Sequence, residues 1–333
     1  MNNHANKRNG YKLSLLVIPS VVTVLFMVFS CTGMVGTGNI KKSGAVETKD
    51  ELQHFQPDVT GEVRLSFIKS FGTNTGLSSP WGISFGVDGT LYVCDRDRSG
   101  IVRLDREGNN IAVFSGSGSR IERLYSPIDV CSSGGMAIYA VDAANSHILR
   151  FDRNLKNAYV IYKKDSAENK LFGSFNGLAF DKTTGDLFVT DRDTGALIRI
   201  DMLGGSIKSR GAFGTGKDSF HEPAGLDVTD DGTIIIADTD ARAVAILNHF
   251  SAEINYIGEK LLEAPVDVAA LPNGSIAVAD KRGLLVLSLS GIPKGRAGYG
   301  EDRILSPRSV AFYGGELYVS DAVSATILVY KVE

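Results

Sequence analysis

The chain has 333 residues, 35 Lys and Arg against 38 Asp and Glu, and a net charge of −3. That balance excludes a protein whose main partner is nucleic acid. A 43% hydrophobic content excludes a disordered chain, and three cysteines exclude a disulfide-built scaffold.

The first element is an export signal. Residues 1–12 carry Lys7, Arg8 and Lys12 and no acid, and residues 13–30 are almost purely apolar. A basic start, an apolar stretch and a small-residue exit define such a signal. Positive charge stays on the cytoplasmic side, so the remainder of the chain is exported. An uncleaved membrane anchor is the alternative reading of the same stretch. Without residues 1–30 the chain keeps 32 Lys and Arg against 38 Asp and Glu, a net −6. Residues 31–61 follow as a polar, Gly-, Thr- and Lys-rich tether without sustained period.

From residue 62 onward the chain repeats. Pro80, Pro127, Pro223, Pro265 and Pro307 each open a strand, and Phe175 fills the one gap, at spacings of 47, 48, 48, 42 and 42. A turn glycine follows in each unit: Gly89, Gly135, Gly185, Gly232, Gly274 and Gly315. Six or seven residues later an apolar run ends on an aspartate: Asp95, Asp142, Asp191, Asp238, Asp280 or Asp321. A third apolar run comes next, and then a variable fourth strand. No long segment of this part has helical periodicity. Six units of four strands at this period predict an all-β, six-bladed β-propeller.

The last unit, Pro307–Glu333, has 27 residues, enough for three strands. The missing strand is predicted at residues 63–71, pairing as the outer strand of the sixth blade and closing the ring. One domain over 62–333 thus replaces the two that length alone would suggest, at about 150 residues each.

The motifs Pro80-Trp81-Gly82-Ile83, LYVCDRDRSGIVRLD and IIIADTDARAVAIL resemble the NHL repeat, over residues 62–333. The resemblance implies a ring shared by amidating lyases, streptogramin-lyase-like enzymes and many non-catalytic binding modules, with gluconolactonase-type lactonases on a similar ring. Fold is therefore far better specified than activity. Val28-Phe29-Ser30-Cys31 resembles a bacterial lipobox, which implies a lipidated Cys31 and, from Thr32 rather than an acid after it, the outer membrane.

The candidate chemistries are few. His4, His54, His147, His221 and His249 occupy non-equivalent positions, so no three-histidine zinc site is expected. The run Asp95–Gly100 imitates the start of a calcium loop, but Arg106 stands where the bidentate Glu belongs. The recurring aspartates are expected to bond local backbone amides instead. Gly82–Gly86 matches a hydrolase G-x-S-x-G string on a strand that enters a hairpin, and residues 211–217 match a P-loop lacking its Ser/Thr. Cys94 and Cys131 read either as a disulfide between neighbouring blades or as two buried thiols.

The residues that begin the inner strands are the candidate ligand site: Trp81, Asp129, Asn176, Asp267 and Arg308, joined by His221 just before its strand. Expected is a binding module for a protein, peptide or polar small ligand at the axial face, with a cell-envelope partner, membrane attachment through the lipid, no nucleic acid and no cofactor. The alternatives are a lyase- or lactonase-like enzyme with a divalent cation such as calcium held at the axis by Asp129 and Asp267, and an envelope scaffold.

Overall fold

The computed structural model describes residues 62–72, 75–115, 123–135, 137–163, 173–202, 207–210, 219–248, 253–298 and 304–333. The signal, the tether, Cys31, His4, His54, His249 and the 211–217 string lie outside them.

All 24 elements of the described residues are strands. The N-terminal strand β1 is Leu65–Phe71. Blade 1 contains β2 (Pro80–Phe85), β3 (Leu91–Asp95), β4 (Gly100–Leu104) and β5 (Asn110–Phe114). Blade 2 contains β6 (Pro127–Ser132), β7 (Ala137–Asp142), β8 (His147–Asp152) and β9 (Tyr159–Lys163). Blade 3 contains β10 (Phe175–Phe180), β11 (Leu187–Asp191), β12 (Ala196–Ile200) and β13 (Ile207–Arg210). Blade 4 contains β14 (Pro223–Val228), β15 (Ile234–Asp238), β16 (Ala243–Leu247) and β17 (Asn255–Ile257). Blade 5 contains β18 (Pro265–Ala270), β19 (Ser275–Asp280), β20 (Gly283–Ser288) and β21 (Pro293–Ala297). Blade 6 contains β22 (Pro307–Tyr313), β23 (Glu316–Asp321) and β24 (Thr326–Val332).

Each blade is an antiparallel four-stranded sheet, and the sixth has the order β1-β24-β23-β22. The predicted closing strand is therefore the outer strand of the last blade, paired from Leu65 with Val332 to Phe71 with Ile327. It starts two residues later than predicted, because the amide of Val63 turns aside to the carbonyl of Lys294 in blade 5, at 3.1 Å.

The core is six wedges between neighbouring blades. Ile83, Leu91, Val93 and Val102 of blade 1 pack on Tyr318, Ile327 and Val329 of blade 6. Tyr92, Cys94 and Ile101 pack on Val130, Ala140, Leu149 and Phe151 of blade 2. Similar clusters fill the other four junctions. Both faces of a middle strand are thus covered, which is why LYVCD and IIIAD read as continuous apolar runs rather than alternating ones. Cys94 and Cys131 belong to different wedges, the first with blades 1 and 2 and the second with blades 2 and 3. Both are free, buried thiols, so the disulfide reading is corrected.

Candidate functional site

The repeated aspartates explain the repeat. Asp95 accepts the backbone N–H groups of Ser78 and Ser79 at 2.8 and 3.0 Å. Asp142 does the same for Tyr125 and Ser126, Asp191 for Gly173 and Ser174, and Asp238 for His221 and Glu222. Asp280 and Asp321 clasp Glu263–Ala264 and Leu305–Ser306. All six carboxylates are buried. Each holds the two residues entering an inner strand, and most also accept an amide from the turn that follows, as Asp191 does from Thr194. Buried amides need such partners, and charged acceptors are the stronger ones. The calcium-like string at Asp95 is one of these clasps.

The inner strands are bonded around the axis by side chains of four types. Ser84 Oγ of blade 1 accepts the Ser132 amide of blade 2 at 3.2 Å. Asp129 Oδ2 accepts the Leu178 amide of blade 3 at 2.7 Å. Asn176 donates to the Pro223 carbonyl of blade 4 at 3.2 Å, and Thr190 to that of Ala224 at 2.6 Å. Asp227 accepts the Ala270 amide of blade 5, and Asp267 the Val310 amide of blade 6, both at 2.9 Å. Ser309 Oγ accepts the Ile83 amide at 3.2 Å and returns the ring to blade 1. Every inner strand also slips register just after its first residue, for example between Pro265 and Asp267. Two glycines make the close approach possible. A Cβ on Gly82 would stand 2.3 Å from Asp129 Oδ1, and one on Gly225 1.9 Å from Asp267 Oδ1.

A cavity of about 600 Å³ opens along the axis at the ends of the inner strands. Asp129, Asp227, Asp267 and Ser309 line its neck; Phe85, Phe180, Phe312 and Tyr313 line its mouth with Lys182, Asp230 and Asp231. Burial pushes the Asp129 carboxyl well above the usual carboxylate range, and the charge of Asp267 adds to it. Asp267 is pushed up to about 7, chiefly by burial, against the Ser309 hydroxyl and the Val310 amide that hold it down. Burial raises Asp227 as well, opposed by the Ala270 and Val228 amides.

The predicted site residues fall into four places. Asp129 and Asp267 meet at the funnel neck. Trp81 and Arg308 lie at the opposite ends of their inner strands, outside the funnel, with the Arg308 guanidinium 4.5 Å from the Trp81 ring. Trp81 also seals blade 1 against the clusters of the blade 2 junctions. Asn176 is a junction bond between blades 3 and 4. His221 is exposed, its ring edge-on to Tyr256 and Nδ1 3.7 Å from the clasp Asp238. Asp227 was not singled out. It is the one charged residue in the column Ser84, Cys131, Ala179, Asp227, Ala269 and Ala311, and that oddity was the available signal.

Among the described residues no three His, Cys, Asp or Glu side chains group as a metal site. The axial carboxylates already accept backbone amides.

Six four-stranded sheets in a ring define the class as a six-bladed β-propeller, and solved structures superpose on it. No protein-family model and no curated protein sequence matches the chain. An auxiliary nutrient binding protein from Bacteroides thetaiotaomicron superposes with a TM-score of 0.61 at 13% identity, over 80% of this chain and 72% of that one. The virginiamycin B lyase of Staphylococcus aureus gives 0.54 at 13% identity, over 78% and 82%. The PQQ-bound aldose sugar dehydrogenase of Streptomyces coelicolor gives 0.58 at 18% identity, over 83% and 100%. The ring is thus shared by binding proteins and enzymes, and the likeness establishes the fold alone.

Proposed function

We propose that this chain is an exported, lipid-anchored propeller of the NHL type that binds a polar ligand in its axial funnel. The observation that carries the reading is the funnel itself. It has a neck of buried carboxyls whose hold on their protons burial strengthens, and a mouth of aromatic rings, of a volume suited to a small molecule or a chain end. Neutral carboxyls both donate and accept hydrogen bonds, and aromatic rings cover apolar faces. A sugar unit or a peptide end, free or carried by a cell-envelope partner, has that mixture of surfaces.

The raised Asp267 favours a second reading, in which the neck is a proton-transferring site of a lyase- or lactonase-like enzyme, since perturbed carboxyls in clefts mark functional sites. The test is thermal shift of the full chain against monosaccharides, disaccharides and short peptides. Lys182→Ala at the mouth should weaken the response to any hit about tenfold. A hit consumed on incubation supports the enzyme; no hit in either class contradicts the funnel reading. The anchor is tested separately. Cys31→Ala is expected to abolish labelling by a radiolabelled fatty acid, and undiminished labelling would overturn the anchor.

A further inference from the structure

The end of the axis away from the funnel holds two cations against one aromatic ring. Trp81, the chain's single tryptophan, has the guanidinium carbons of Arg96 and Arg308 each 4.5 Å from its ring. Arg96 follows the clasp of blade 1, and Arg308 opens β22 of blade 6. Each contact with the indole is attractive, but the two cations repel. Burial, and then the Arg96 charge, weaken the hold of Arg308 on its proton, with Asp321 opposing.

Neither arginine has an ion-pair partner among the described residues. The nearby carboxylates are engaged as clasps: Asp95 on Ser78, Ser79 and Arg98, and Asp321 on Leu305, Ser306, Val323 and Ser324. Arg96 Nε is aimed by Ser126 Oγ at 3.1 Å. Arg308 Nε is buried and has no hydrogen-bond partner. An unmet buried donor on a charged group carries a desolvation cost, which a ligand can recover. On the loops entering β6 and β22, Tyr125 and Leu305 expose apolar surface, at 47% and 52%.

We infer that Arg96, Trp81 and Arg308 form a binding site for an oxyanion, carboxylate or phosphate, carried on an apolar body. Each guanidinium presents a forked donor that matches either anion, and an anion bound there lowers the repulsion between the two cations. None of the three residues lines the funnel, so this site stands or falls independently of the ligand proposed there.

Trp81 is its own reporter. In the full chain at matched low ionic strength, iodide is expected to quench Trp81 emission about fivefold more strongly than caesium, because the cation pair concentrates anions there. N-acetyl-leucine, butyl phosphate and inorganic phosphate, titrated separately, identify the source. Saturable emission change with either organic anion, stronger than with inorganic phosphate, is expected. Arg96→Gln and Arg308→Gln should each weaken it about tenfold; Arg308→Lys should keep the iodide preference and lose part of the affinity. Equal quenching by iodide and caesium, or no saturation by any of the three anions, would overturn the site. Equal binding of inorganic phosphate would overturn the apolar-body half of the proposal.

Discussion

Two rings of side chains hold this propeller, and they differ in kind. The clasp ring is six aspartates doing one local job six times. The axial ring mixes residue types from junction to junction: Ser84, Asp129, Asn176 with Thr190, Asp227, Asp267 and Ser309. A clasp acts within its own blade, so one solution repeats. An axial bond crosses to the next blade and borders a shared cavity, so its chemistry depends on both neighbours and on whatever enters. Repetition marks the fold here, and departure from repetition marks the candidate site.

The largest expected effect breaks both rings at once. Removing residues 62–72 strips β1 from β24 and exposes the outer edge of blade 6. Each wedge has only its two blades to hold it, so closure stabilises all six. No cooperative melt is expected; a truncated protein with a normal melting transition would contradict closure.

A single clasp is the next test. Asp142→Ala leaves the Tyr125 and Ser126 amides without their acceptor and also drops the Ala144 amide and the Asn145 side chain. A cost of about 3 kcal/mol or more is expected in chemical denaturation, and a comparable cost at any other clasp. Gly225→Ala is the matching test of the axial ring. The new methyl would displace the Asp267 carboxyl, for about 1–3 kcal/mol of overpacking, while Gly274→Ala, with open space around it at positive φ, should cost about 1 kcal/mol from strain alone.

A separate effect is in pH. Asp267 binds its proton more tightly folded than unfolded, so its contribution to stability is full below the unfolded value of about 4 and is lost as pH rises through about 7. Melting temperature should therefore decline over that window, and Asp267→Asn should flatten the decline. An unchanged slope in the variant would assign the pH dependence elsewhere.

The clasp ring was legible in the sequence because Pro, Gly and Asp recur at fixed offsets, and each offset has a single structural meaning. The closing strand was legible from a count of strands in the last unit. The axial site was legible only in part. Trp81, Asp129 and Arg308 read as one rim because they sit one or two residues into equivalent strands. An inner strand of six residues spans about 17–20 Å, so its start and its end open on opposite ends of the axis. The register slip after each first residue then turns Asp129 and Asp267 toward the funnel, while Trp81 and Arg308 stay behind. Nothing in the residue pattern announces that slip. Asp227, at a column of otherwise small residues, joins the neck from two positions further along its strand.

The central claim is that Asp129, Asp227 and Asp267 form one buried, charge-coupled group at the funnel neck. Carbon-detected NMR titration of the aspartate carboxyls in the full chain tests it most directly. Asp267 is expected to titrate near pH 7, and to move downward in Asp227→Asn as a neighbouring charge is removed. An Asp267 carboxyl titrating near 4, indifferent to Asp227, would contradict the claim.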